Sequence, residues 1–102
     1  MVITVDSKVA EYRAKLRDHL ADFAKRYHVA SLALFGSRVR GESRSDSDLD
    51  VLVRFDVTPS LLTLLKLENE LSDLLGVRVD LVIRESLRPS IEQRVLTDLV
   101  PV

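Results

Sequence analysis

A chain of 102 residues suffices for one compact domain and not for two, because ordinary domains run to roughly 100–150 residues. With 46% hydrophobic and 30% charged residues, it is neither disordered nor fibrous in composition. Fifteen Lys and Arg against sixteen Asp and Glu leave a net charge of −1, without the basic footprint of a nucleic-acid binder.

From Asp6 to His28, the residues Val9, Tyr12, Leu16, Leu20, Phe23 and Tyr27 fall at three- and four-residue spacing, which predicts a helix with one apolar stripe. Asp6 or Ser7 supplies its cap, and Glu11 with Lys15 and Asp22 with Arg26 form i,i+4 pairs suited to a solvated face. Val29 to Phe35 is nearly all apolar, too short for an independent helix and ended by Gly36, so it is expected to be a strand buried on both faces. Gly36 to Asp48 holds two of the three glycines and four serines, and is predicted to be a loop with room for one short helical turn.

Leu49 to Phe55 is predicted as a second strand, with Leu49, Val51 and Val53 on one face and Asp48, Asp50 and Leu52 on the other. Thr58 and Pro59 serve as cap and first helical position and Gly76 as the stop, giving a second helix over residues 60 to 75. Its leucines at 61, 64, 65, 67, 71, 74 and 75 cover about half of the helical wheel, a core helix whose breadth also suits a partner surface. Arg78 to Ile83 is a third strand. Pro89 opens a last helix to about Leu96, and Leu99 to Val102 is an apolar tail with the character of an edge strand. The expected fold is one α/β (α+β) domain over residues 1–102, a small mixed β-sheet with packed helices, carrying its site at the end of the first two strands.

The chemistry concentrates in the loop and the strands beside it. Arg38, Arg40 and Arg44 form a basic segment that runs into Asp46, Asp48 and Asp50, an order suited to holding phosphates beside a cation. Asp48 and Asp50, one residue apart on a strand, project from the same face with Cα atoms about 6.6 Å apart. Asp80 sits among Val79, Leu81 and Val82, where a purely structural acid has little reason to be. If the second and third strands are neighbours, Asp80 completes a three-carboxylate cluster, of the oxygen-donor kind that magnesium takes together with substrate phosphates. Gly36 allows close approach of a ligand to the backbone, and the Ser37 hydroxyl beside free N–H groups suits a terminal phosphate. Taken singly, Gly-Ser before a charged loop is an ordinary turn, and the arginines are solvated; the joint pattern is what argues for a site. His19 and His28 form no metal-ligand spacing and are expected on helix surfaces, His28 near a helix C-terminus.

The sequence contains no cysteine, which removes disulfides, thiolate zinc sites and a thiol nucleophile. Its longest uninterrupted apolar run, Leu32 to Phe35, is far short of the ~18 residues of a membrane span, and Met1 to Val5 does not make a signal peptide. A cytoplasmic location is expected, with no membrane partner and no direct nucleic-acid binding.

The stretch GSRVRGESRSDSDLDVLV resembles the nucleotidyltransferases of the DNA polymerase β superfamily, whose signature is Gly36-Ser37, ten residues, then Asp48-Leu49-Asp50, with Gly41 and the Ser47-Asp48 pair in place. It looks most like the minimal nucleotidyltransferases, the MNT antitoxins encoded beside HEPN toxins, whose loop commonly reads Gly-Ser-x-Ala-Arg-Gly. Arg40 and Gly41 match that loop, and Val39 stands where alanine is usual. The resemblance spans essentially the whole chain and implies a polymerase β-like core. It implies that Asp48, Asp50 and Asp80 are catalytic and metal-binding, with Asp80 the base, and that Gly36, Ser37, Arg40 and Ser47 bind the nucleotide. Two Mg2+ ions and ATP as substrate are implied with them. The implied activity is protein adenylylation, AMP passing from ATP to a tyrosine hydroxyl of a cognate HEPN ribonuclease, so the acceptor surface is expected on another chain. The competing expectation is a catalytically silent module that neutralises the toxin by contact.

Overall fold

In the computed structural model, which describes residues 7–41 and 48–102, the apolar stripe of the first segment becomes α1, Ser7–Tyr27. Val9, Tyr12, Leu16 and Phe23 are buried along it; Asp6, the alternative cap, lies outside the described residues. At the end of α1 the His28 N–H bonds the Ala24 carbonyl at 3.1 Å while its own backbone turns left-handed at φ 60°. The chain thereby turns at once into β1, Val29–Phe35. Only the second half of β1 is buried on both faces. Ala30 and Ser31 are exposed at a register shift, because β4 and the small apolar cluster on the far face cover β1 only from Leu32 onward.

After Gly36 comes α2, Ser37–Arg40, the single turn that the loop has room for. β2, Leu49–Phe55, pairs antiparallel with β1, from Val29 opposite Phe55 to Phe35 opposite Asp50. α3, Leu61–Leu75, starts later than the proline implies: the Ser60 hydroxyl accepts the Thr63 N–H at 3.2 Å, so Ser60 is the cap, and Thr58 and Pro59 precede it. Gly76 ends α3 at φ 68°. β3, Val79–Ile83, lies parallel to β2, with Asp50 opposite Asp80 and Leu52 opposite Val82. A 3-10 turn over Arg84–Ser86, not anticipated from the sequence, leads to α4, Pro89–Thr97, and β4, Val100–Pro101, returns to the free side of β1. The sheet order is β3-β2-β1-β4.

The pleat sends Leu32, Leu34, Leu49, Val51, Val53, Val79 and Leu81 to one face, against Leu16 and Phe23 of α1 and Leu67, Leu71 and Leu75 of α3. Each fully buried leucine or phenylalanine there contributes about 2 kcal/mol. The other face carries a smaller cluster, Ala33 and Leu52 under Val95 of α4, flanked by Phe35, Val82, Leu87 and Leu99. Asp50 and Asp80 share parity with Leu52 and Val82, so they belong to this thinly covered face, at the end that α4 leaves open. Among the described residues, no helix is long and apolar enough to cross a membrane.

Candidate active site

Parallel pairing of β2 with β3 sets Asp50 directly across from Asp80, and antiparallel pairing with β1 sets it across from Phe35, one residue before Gly36. Asp50 is half-buried, whereas Asp80 and Asp48, which directly precedes β2, are exposed. Burial, then the charges of Asp80 and Asp48 and a hydrogen bond with Asp80, push the Asp50 carboxyl up to about 6, against a weaker opposing pull from Arg40. The neighbouring strands bring Asp80 to Asp50, with Asp48 close enough for its charge to be felt, but as they stand the three carboxylates do not close into the one cluster that the sequence led us to expect.

Gly36 forms the wall on the β1 side. Its backbone is buried, at φ 89° and ψ −163°, and a β-carbon added to it would sit 2.0 Å from Oδ2 of Asp50. The carboxylate therefore rests against bare backbone. Ser37, half-buried, follows as the first residue of α2, where backbone N–H groups have no carbonyl one turn back to bond. Arg40 ends α2, and Gly41 behind it takes a left-handed backbone at φ 73°. Arg44 and Ser47, two further expected phosphate ligands, lie outside the described residues.

Next to this turn a cleft of about 520 Å³ opens between α2 and α4, with Phe35, Val95 and Ile91 apolar in its lining and Arg40, Arg94 and Asp98 polar. Across it, Nη1 of Arg40 meets Oδ2 of Asp98 at 2.6 Å. The sequence reading passed over Asp98 and the α4 wall. The available signal was an acid at the end of a helix, where the carbonyl dipoles disfavour negative charge.

The three acids offer only hard oxygen donors, and their mutual repulsion is what a bound divalent cation relieves. Among the described residues, no three acids or histidines close round one point as they stand, so the protein does not supply a complete cage. Magnesium suits such a site, since it takes one or two carboxylates and completes its shell with waters and substrate phosphates.

Known proteins resemble this chain in sequence and in fold. The nucleotidyltransferase domain family matches residues 14–101. The chain is 45% identical over 90 residues to the protein adenylyltransferase MntA of Thermococcus cleftensis, which covers 88% of this chain and 91% of that one. A solved structure described as a minimal nucleotidyltransferase superposes with a TM-score of 0.72 at 37% identity, over 96% of this chain and 95% of the other. Also similar, with a TM-score of 0.65 at 25% identity over 90% of this chain and 69% of the other, is a chain from the structure of a tri-AMPylated Shewanella oneidensis HEPN toxin in complex with MNT antitoxin. The likeness thus runs through overall fold and sequence over nearly the whole chain, and the chain belongs to the nucleotidyltransferase domain family as one of its minimal enzymes.

Proposed function

We propose that this chain is a magnesium-dependent protein adenylyltransferase that passes AMP from ATP to a tyrosine hydroxyl of a cognate HEPN ribonuclease toxin and so acts as its antitoxin. The observation that carries this reading is Asp50, held half-buried between the bare backbone of Gly36 and the carboxylate of Asp80. That arrangement joins a phosphate-gripping turn to an acidic, cation-seeking pair. The similarity to an adenylyltransferase and to an antitoxin from a complex with an AMPylated toxin supports the substrate and the partner.

Asp48 and Asp50 would hold magnesium, with Asp80 as a third ligand. When bound, the metal neutralises charge on the triphosphate and on the departing pyrophosphate. Gly36 lets the phosphates approach the chain, and Ser37 and Arg40 donate hydrogen bonds to their oxygens. The acceptor oxygen bonds the α-phosphorus as the bond from that phosphorus to the bridging oxygen of the β-phosphate breaks. Pyrophosphate departs, and the hydroxyl proton passes to the carboxylate of Asp80, which is exposed to an incoming chain. On the toxin, the added AMP puts a bulky anion where RNA phosphates must bind.

Co-expression with the neighbouring toxin tests this. The intact mass of the toxin should rise by one AMP for each modified hydroxyl with the wild-type chain. Asp48→Asn and Asp50→Asn should each slow transfer on the order of 1,000-fold while the chain still folds. Neutralisation that survives both substitutions without any mass change would establish the contact-only module instead.

A further inference from the structure

Asp98 is an acid where local electrostatics disfavour one. It is the C-cap of α4, at the end where helix carbonyls already present partial negative charge, and only 19% of its side chain is exposed. Its compensation comes from Arg40, 58 residues away in sequence, through the 2.6 Å contact between Nη1 and Oδ2. The two residues end the two elements that face each other across the cleft, α2 and α4. α4 is otherwise held by Val95, its buried residue in the smaller of the two apolar clusters, and by Nη2 of Arg84, which meets Oε1 of Glu92 at 3.4 Å. The ion pair is therefore one of the contacts that set where Arg40 stands relative to the glycine-serine turn. A guanidinium carries its five N–H donors in one rigid plane, so fixing one edge fixes the direction of the rest.

We propose that Asp98 is a positioning residue for nucleotide binding: by clasping Arg40 from the end of α4, it orders the guanidinium at the mouth of the cleft before the triphosphate arrives. The inference rests on the reading of Arg40 as a phosphate ligand. Without Asp98 the long side chain loses one of the contacts that order it, more of that ordering falls on ATP binding, and binding weakens. Asp98 touches no reacting atom, so it acts on affinity and leaves the chemical step alone.

The experiment is a double-mutant cycle on the full chain, read by MgATP titration without acceptor, by the KM for ATP and kcat of transfer, and by thermal melting. Asp98→Asn, which keeps the shape of the side chain, should raise Kd and KM about three- to tenfold with kcat within about twofold of wild type. It should add nothing in an Arg40→Gln background, and Asp98→Glu should recover part of the loss. A merely structural role for Asp98 would lower Tm in both backgrounds and would not separate KM from kcat. Wild-type affinity in Asp98→Asn, or the same loss with and without Arg40, would overturn the inference. An Arg40→Gln chain that binds ATP like an active wild type would also overturn it, leaving the transferase reading intact. A wild-type chain that neither binds ATP nor transfers AMP would overturn both.

Discussion

At Gly36 the backbone sits at φ 89° and ψ −163°, a region that side chains with a β-carbon essentially avoid, and the space that carbon would fill belongs to Asp50. Gly36→Ala is therefore expected to destabilise the fold by about 2 kcal/mol or more and to abolish transfer. Adding Asp50→Ala should return part of the stability, measured by thermal melting, because it removes the clash but not the backbone strain. Asp50 carries a second expectation. Its carboxyl is raised to about 6, so the folded chain binds this proton more tightly than the unfolded chain does, and stability falls as pH rises from about 4 to about 6. For a half-exposed group the cost above pH 6 is discounted to about 1 kcal/mol, so Asp50→Asn should raise Tm by roughly 4 °C at pH 7 and hardly at all at pH 4. A melting series across that range checks the sign. Asp50 and Asp80 were legible in the sequence because polar residues at strand parity among Leu49, Val51, Val79 and Leu81 stand out. Asp98 was not, because its partner lies 58 residues away and only the tertiary fold brings them together.

On the scale of elements, α3 both supplies the core face and closes the sheet. β3 is an edge strand, and its outward N–H groups would be open to another chain. Instead the Ser72 hydroxyl accepts the Val79 N–H at 3.0 Å, and Oε2 of Glu68 accepts that of Leu81 at 2.9 Å. At the opposite edge, Nε of Arg13 donates to the Pro101 carbonyl at 2.7 Å. Glu68→Ala and Ser72→Ala should each cost about 1 kcal/mol in chemical denaturation, and together they should raise self-association seen by light scattering. Glu68→Gln keeps the acceptor and should behave nearly as wild type. The elements themselves were readable from apolar periodicity and from the Gly76 and Pro89 boundaries. The start of α3 was misplaced because Thr58-Pro59 and Ser60 are both plausible openings, and the choice falls on the hydroxyl that reaches the Thr63 N–H. The exposure of Ala30 and Ser31 in β1 was hidden too, since the sequence does not say how far a neighbouring strand or cluster extends along it.

The whole molecule separates its chemical end from its apolar end. β2 begins at Leu49 beside Asp48 and Asp50, and β3 begins at Val79 beside it, so the α3 crossover must start at the opposite end of the sheet. Seven strand residues make that separation about 20 Å. The broad leucine face of residues 61 to 75 divides accordingly: Leu67, Leu71 and Leu75 are core, whereas Leu61 and Leu62 are each 72% exposed at the far end. Substituting these two removes almost no buried contact and does not reach the carboxylates. The double variant Leu61→Ser/Leu62→Ser should therefore keep its stability within about 1 kcal/mol and its ATP affinity within about twofold, by thermal melting and nucleotide titration. A large loss of ATP affinity would show that the two ends are coupled through α3. With both properties preserved, any fall in the rate of toxin modification by this variant, at limiting toxin and not at saturation, would report contact between that end of the chain and the acceptor protein.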